Sequence, residues 1–183
     1  MTTPSQDQDI VFNGFLTQQA SAGVDLTANS DLATVIPMTE GICNRYIVEL
    51  GCVGLTRLPD GRIEKHDRWA FGVHFAEDYL ARAVHVTSTL TFLGPKPLWH
   101  SNVNGPFVCL DLRAGTSLLE IIFALADLVS WRSFSLADPL NEDAAQWGRN
   151  AEPGVLPVDT RPLKWKAGQG VAAAHRMVVT TES

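Results

Sequence analysis

The spacing of apolar residues along the first part of the chain predicts one helix followed by several strands. Apolar residues in "DIVFNGFLTQQA" recur at helical spacing, which predicts a helix over residues 6–21 that ends at Gly23. The next segment, "DLATVIPM", predicts a short strand that stops near Pro37, and "NRYIVELGCVGLTRL" is rich in residues that favour strands. The sequence "LPDGR" predicts a hairpin turn, because Pro59 presets φ and Gly61 supplies a positive φ.

Two further segments alternate apolar and polar residues as strands do. "WAFGVHFA" predicts the return strand of that hairpin, with its apolar side chains on one face: Trp69, Phe71, Val73 and Phe75. "AVHVTSTLTFL" predicts another strand, in which the alternating apolar residues are Val84, Val86, Leu90 and Phe92. Four strands joined by turn-length links predict an antiparallel meander.

Helical signals follow in the second half of the chain. Ser117 and Glu120 form a capping-box motif, in which each side chain bonds the backbone N–H of the other residue. The residues after Ser117 form a broad apolar face, which is typical of a buried helix: Leu118, Leu119, Ile121, Ile122, Leu125, Leu128 and Val129. Another helix begins within "ADPLNEDAAQWGRN", where Asp138 or Asn141 serves as the N-cap and Pro139 suits the first turn.

These elements predict one domain over residues 1–150 and a tail or arm over residues 151–183. The last part, "EPGVLPVDTRPLKWKAGQG", is rich in proline and glycine and has no periodic apolar pattern. A helix, a strand meander and further helices indicate the α+β class, with helices packed on one face of an antiparallel sheet.

Composition and charge narrow the possible functions. Apolar residues make up 45% of the chain and charged residues 19%, as in soluble globular proteins, and no apolar run reaches the roughly 20 residues that span a bilayer. The polar start, "MTTPSQDQD", lacks the basic and apolar regions of a secretory signal, so a cytoplasmic location without a membrane partner is expected. The net charge of −6 argues against nucleic acid as a partner.

The cysteines offer one candidate for chemistry. Cys43, Cys52 and Cys109 are odd in number and widely spaced, which argues against a disulfide framework and a zinc site. His74 and His85 lie on predicted strands without paired carboxylates, so neither a metal nor a cofactor is expected. Free cysteine is among the most buried residue types, so Cys109 is either an inert core residue or a reactive thiol.

Four short motifs follow one another in the chain: Phe75 and Tyr79, His100 and Asn102, Cys109-Leu110, and Asp138-Pro139-Leu140. In order and approximate spacing they resemble the signature of ubiquitin-conjugating enzymes, and the match covers residues 6–150. That family has Phe-Pro-x-x-Tyr-Pro, then His-Pro-Asn, then a cysteine followed by leucine, then Asp-Pro-Leu after the next helix. The resemblance implies the UBC fold, with an N-terminal helix, a four-stranded antiparallel meander, a catalytic-cysteine loop and C-terminal helices on one face of the sheet.

The resemblance also implies a mechanism and partners. Cys109 would accept the C-terminus of a ubiquitin-like modifier as a thioester from an activating enzyme and pass it to an amine on a target protein. Asn102 would support the oxyanion or brace the loop, and Asp138 would face the attacking amine. His100 and Gly105 would support the loop. ATP would be used by the activating enzyme, and this chain would bind no cofactor.

The chain departs from the family pattern in three places. Ser101 stands where the His-Pro-Asn motif has proline, and His100 precedes Cys109 by nine positions, which is slightly short. The segments "YLARAVH" and "RAGTSL" lack the residues that dock RING-type ligases, so no such ligase is expected as a partner. The first helix has no basic residue, so the activating enzyme would be recognised through Phe12 or Phe15, or through a tail cluster: Arg161, Lys164, Trp165 and Lys166.

With these departures the chain is most similar to the compact bacterial conjugating enzymes of antiphage operons. Two other functions stay open. One is a catalytically inert UBC-fold module that binds or scaffolds a ubiquitin-like protein. The other is a cysteine hydrolase that uses Cys109 and His100, for which the sequence offers no third residue to orient the histidine.

Overall fold

A computed structural model describes residues 6–81 and 86–164 of the chain. In chain order the elements are α1 (Gln6–Asn29), β1 (Ala33–Pro37), β2 (Arg45–Leu50), β3 (Gly54–Arg57), β4 (Ile63–His66), β5 (Trp69–His74), α2 (Val86–Thr89), β6 (Leu90–Gly94), β7 (Val103–Asn104), β8 (Phe107–Val108), α3 (Leu118–Val129) and α4 (Glu142–Arg149). Among the described residues, no helix combines the length and apolar character that crossing a membrane requires.

The main sheet has four antiparallel strands in the order β1-β2-β5-β6, and the pairs β3-β4 and β7-β8 form separate two-stranded hairpins. The predicted α+β class, with an N-terminal helix and an antiparallel sheet, is confirmed. The predicted partner of the "LPDGR" turn is wrong, because the returning strand is β4 and not the Trp69 segment. Gly61 has the expected positive φ of 87° in that turn.

The central strand β5 carries its apolar side chains as predicted. Trp69, Phe71 and Val73 are all buried, while the residues between them are partly exposed. This face packs in one core cluster with residues of α1 and α3, so the two long helices cover the same side of the sheet.

Helix α1 is longer than predicted, because Gly23 lies inside it and does not end it. The buried positions Leu16, Gln19, Gly23 and Leu26 continue one helical stripe past the glycine. A Cβ atom at Gly23 would lie 2.9 Å from Val35 Cγ1, so glycine allows the helix to approach β1 closely. The side chain of Gln19 accepts a hydrogen bond from Leu118 N at 2.8 Å and so joins α1 to the first turn of α3.

The strand predicted over "AVHVTSTLTFL" is correct only from Leu90. Val84 lies outside the described residues, and Val86–Thr89 form a short helix instead of a strand. The strand preference of valine and threonine depends on their context, and the pairing of β5 with β6 ends at Val73, which lies opposite Leu90. Leu90 and Phe92 are buried on the inner face, as the alternation predicted.

Both helix starts of the second half show side-chain caps. The capping box of Ser117 and Glu120 is present at α3, as predicted. At α4 the N-cap is Asn141, whose side chain accepts from Ala144 N. The alternative N-cap, Asp138, is therefore wrong, and Pro139 precedes the helix and is not in its first turn, because the side chain that meets the first free amides is that of Asn141.

Residues 151–164 are hydrogen-bonded to the link between β2 and β3 and to the residues that follow α3. Asp159 accepts a hydrogen bond from Val53 N at 2.7 Å, and Arg161 donates to the Gly51 carbonyl at 3.1 Å and to Asp159 at 2.8 Å. We call these contacts the Asp159 clasp. Burial alone would raise the pKa of Asp159, but the hydrogen bonds from Arg161 and Val53 outweigh it and hold the pKa at about 2. Residues 165–183, with Trp165 and Lys166, lie outside the described residues.

Candidate functional site

Cys109 follows a tight hairpin that presents it to solvent. Strands β7 and β8 pair through Val103 with Val108 and Asn104 with Phe107, which leaves a two-residue turn. Gly105 opens that turn with φ of 58°, a conformation that glycine adopts without strain. Because side chains alternate along an extended segment, Val108 points into the core and Cys109 is exposed.

The three thiols divide clearly by exposure. Cys43 and Cys52 are 1% and 3% exposed and belong to the core, as predicted, whereas Cys109 is exposed. Burial, followed by the negative charge of Asp159, raises the pKa of Cys52 to about 12. The interpretation of Cys109 as an inert core residue is therefore wrong, and it is the one thiol of the chain that a partner protein can reach.

Asn102 is held against Cys109 by its backbone and its side chain. Its carbonyl accepts from Cys109 N at 2.8 Å, and its Nδ2 donates to the Cys109 carbonyl at 3.4 Å. Its Oδ1 accepts from Ser135 N at 2.8 Å and from the Ser101 hydroxyl at 2.9 Å. The structure thus places an amide donor, with fixed orientation, beside the exposed cysteine.

His100 is buried under the loop that carries Asn102, and its imidazole is neutral. It is fully buried, and its Nδ1 accepts from Asn102 N at 3.0 Å. Burial lowers the pKa of His100 to about 3, although the Ser133 backbone opposes that shift. A neutral imidazole whose Nδ1 is already engaged cannot serve as a general base for Cys109.

An aromatic cluster at the end of α3 packs on His100. Trp131 lies 4.4 Å from the imidazole ring, centroid to centroid, and donates from Nε1 to the Trp99 carbonyl at 2.9 Å. Phe134 and Trp147 contact the same indole at 5.6 and 5.4 Å. Trp131 has φ of 59°, so the chain turns sharply after α3 and directs residues 132–140 across the cysteine loop.

Asp138 lies on the segment that crosses this loop. The Asn104 side chain donates to the Leu140 carbonyl at 3.2 Å, and Asn141 N donates to the Ser101 carbonyl at 3.0 Å. These bonds fix the residues just after Asp138 to both ends of the β7–β8 hairpin. Asp138 itself is exposed, and within residues 6–81 and 86–164 its carboxylate takes part in no hydrogen bond or ion pair.

The remaining pair of the shared pattern, Phe75 and Tyr79, is part of the core. Their rings lie 4.8 Å apart, and Phe15 of α1 packs on both. The Tyr79 hydroxyl donates to the Thr116 carbonyl at 2.7 Å and so fixes the residue that precedes the N-cap of α3.

Sequence reasoning missed two supports of the site, Ser135 and Trp131. Ser135 acts through its backbone N–H, for which no sequence signal exists. Trp131 follows directly after the predicted apolar helix face, and a large aromatic residue at a helix end could have suggested a packing role.

Neither metal ligation nor similarity to known proteins adds a role for the described residues. In the part of the chain that the structure describes, no three His, Cys, Asp or Glu side chains come together as metal ligands would. No protein-family model matches the chain, and no curated protein matches it with significant similarity.

Proposed function

We propose that this protein is a cytoplasmic ubiquitin-like-protein conjugating enzyme with the UBC fold, which acts in a bacterial antiphage pathway without a RING-type ligase. The observation that supports it best is the exposed thiol of Cys109 beside the oriented amide of Asn102. Cys109, Asn102 and Asp138 are also the residues that match the cysteine, the asparagine and the aspartate of the family motifs, in the same order along the chain.

The first step would be transthiolation. The Cys109 thiolate attacks the carbonyl carbon of a modifier thioester carried by the activating enzyme, and a tetrahedral intermediate forms. Its collapse breaks the old C–S bond, releases the activating enzyme's thiolate, which takes up a proton, and leaves the modifier on Cys109. No general base has to act on Cys109 beyond solvent, because the acyl group arrives already activated.

The second step would be aminolysis. A target amine, having lost its proton, attacks the Cys109 thioester, and negative charge develops on the carbonyl oxygen. Asn102 Nδ2 is the donor placed to stabilise that oxyanion. The nitrogen gives up its surplus proton, the C–S bond breaks, the Cys109 thiolate leaves and is protonated, and an amide bond to the modifier remains. The carboxylate of Asp138 would attract the incoming amine and accept its proton.

Two observations favour this function over its alternatives. A cysteine hydrolase needs a histidine within reach of the thiol, whereas His100 is buried and neutral and bonds the Asn102 backbone. The exposed thiol of Cys109, with the Asn102 amide beside it and Asp138 on the neighbouring segment, favours acyl transfer over an inert scaffold module. The apolar contact with an activating enzyme would use Ile10 and Val11, which are 66% and 63% exposed, because Phe12 and Phe15 are partly buried against the core.

The experiment that tests the proposal is a charging assay. The protein is mixed with ATP and with a bacterial activating enzyme and its cognate ubiquitin-like protein, and the products are run on a non-reducing gel. We expect an adduct that thiol reductant removes and that Cys109→Ala abolishes. Cys109→Ser should give a reductant-resistant ester.

Discharge to free lysine then tests the two other residues. Asn102→Ala should leave charging intact and slow discharge by about 100-fold or more, the usual effect of removing one oxyanion donor. Asp138→Ala should slow discharge less and mainly at low amine concentration. Folded wild-type protein that binds the modifier but forms no adduct would instead establish the scaffold function.

A further inference from the structure

Ser101, at the position where the family motif has proline, occupies a specific place in the site. It is fully buried, and its hydroxyl lies 2.9 Å from Asn102 Oδ1. Its carbonyl accepts from Asn141 N at 3.0 Å, which fixes its backbone to the start of α4. The backbone of Ser101 therefore joins the cysteine loop to the start of α4, and its hydroxyl contacts the side chain of Asn102.

The hydrogen bonds of Asn102 define which way its side-chain amide points. A backbone N–H can only donate, so the atom that faces Ser135 N is the oxygen of the amide. A backbone carbonyl can only accept, so the atom that faces the Cys109 carbonyl is the nitrogen. An amide oxygen has two lone pairs, and Ser135 N and the Ser101 hydroxyl use both of them.

The Nδ2 donor of the Asn102 amide has a fixed position but forms only a weak hydrogen bond. The distance of 3.4 Å from Asn102 Nδ2 to the Cys109 carbonyl exceeds the roughly 2.7–3.2 Å of a good N–H···O bond. A charged oxyanion forms shorter and stronger hydrogen bonds than a neutral carbonyl does. The Asn102 Nδ2 group, which forms only a long hydrogen bond here, is therefore available to an oxyanion at Cys109.

We infer that Ser101 is a positioning residue for acyl transfer, whose hydroxyl fixes the Asn102 amide with its nitrogen toward Cys109. This inference rests on the proposed function. The Ser101 hydroxyl orients Asn102 by a hydrogen bond, which the proline of the family motif cannot form.

The test compares Ser101→Ala with a matched control, Ser130→Ala. Both serines are fully buried, but the Ser130 hydroxyl donates to the Ala126 carbonyl at 2.7 Å, within α3 and its cap. Charging and single-turnover discharge to free lysine are measured for both variants, for Asn102→Ala and for the Ser101→Ala/Asn102→Ala double variant. Urea unfolding of each variant reports its stability.

We expect Ser101→Ala to charge normally and to discharge about 3- to 10-fold more slowly, while Ser130→Ala discharges at the wild-type rate. In the Asn102→Ala background, Ser101→Ala should have no further effect, because there is no amide left to orient. Ser101→Thr keeps the hydroxyl and should discharge faster than Ser101→Ala.

Each other outcome has a distinct meaning. Normal discharge by Ser101→Ala would overturn the inference and leave the proposed function intact. Slow discharge that multiplies with that of Asn102→Ala would also overturn it, since the role would then be structural only. Wild-type protein that forms no thioester would overturn the proposed function itself. If Ser101→Ala fails to fold, Ser101→Thr decides, and a 10-fold loss in that folded variant counts against the inference.

Discussion

The buried histidine below the cysteine loop makes a quantitative prediction about pH and stability. In the folded protein the pKa of His100 is about 3, against an ordinary value of 6.5, chiefly because burial excludes the charged form. The folded state therefore favours neutral His100, and its contribution is fully present above pH 6.5. As the pH falls below 6.5 the unfolded chain takes up a proton that the folded chain does not, and stability is lost until the pH reaches about 3.

The size of this loss follows from the gap between the two pKa values. Each pH unit within that window changes the free energy of unfolding by about 1.4 kcal/mol per proton. Between pH 7 and pH 4.5 the loss from His100 alone should be roughly 2 to 3 kcal/mol, which is a large part of the stability of an ordinary domain.

Urea unfolding of wild type and His100→Asn at pH 7 and pH 4.5 measures this contribution. Asparagine does not titrate, and its Oδ1 can still accept from Asn102 N. The variant should be less stable at pH 7, because it loses the ring contact with Trp131, yet its loss on acidification should be smaller by roughly 2 to 3 kcal/mol. Equal losses in both proteins would refute the assignment of His100 as buried and neutral.

Three further predictions concern other parts of the molecule. Asp159→Asn should lower the free energy of unfolding by about 2 kcal/mol at pH 7. This difference from wild type should vanish as the pH falls from about 4 through 2, because a carboxylate with a lowered pKa stabilises the fold only while it is ionised. Urea unfolding across that pH range measures the difference. On helix α1, Gly14→Ala should raise the free energy of unfolding by about 0.5 to 1 kcal/mol, because nothing lies within 4 Å of an added Cβ. Gly23→Ala should lower it by about 1 to 3 kcal/mol, because the added Cβ would contact Val35. An aromatic disulfide reagent should label one thiol rapidly in the native protein, Cys109, and rapid labelling of all three would contradict the burial of the other two.

Local features of the structure could be predicted from the sequence because their causes lie within a few residues. The capping box of Ser117 and Glu120 is a contact between residues three apart, and it is present. The buried face of β5 follows from the alternation of strand side chains, which needs only the identity of neighbouring residues.

The sequence predictions were wrong or incomplete where contacts with a distant segment determine the local structure. Gly23 is a helix terminator by its local preference, but it lies inside α1, where the buried stripe continues to Leu26 and β1 packs closely. At the site, the family resemblance implied the pairing of Asn102 with Cys109, yet one of the two contacts that orient Asn102 comes from Ser135, 33 residues away. A backbone donor at that distance leaves no trace in the sequence pattern.

The Asp159 clasp has a consequence for the order of folding. It joins residues that are 106 and 110 positions apart, from Val53 to Asp159 and from Gly51 to Arg161. During synthesis the four strands of the main sheet leave the ribosome well before Arg161 does, so the sheet can form while the Val53 amide still bonds to water. Contacts of such sequence separation form late and slow the final step. The nascent chain should therefore pass through a state in which the cysteine hairpin is complete but the C-terminal segment is unattached, and a protease added to stalled chains would detect that state as cleavage after residue 150.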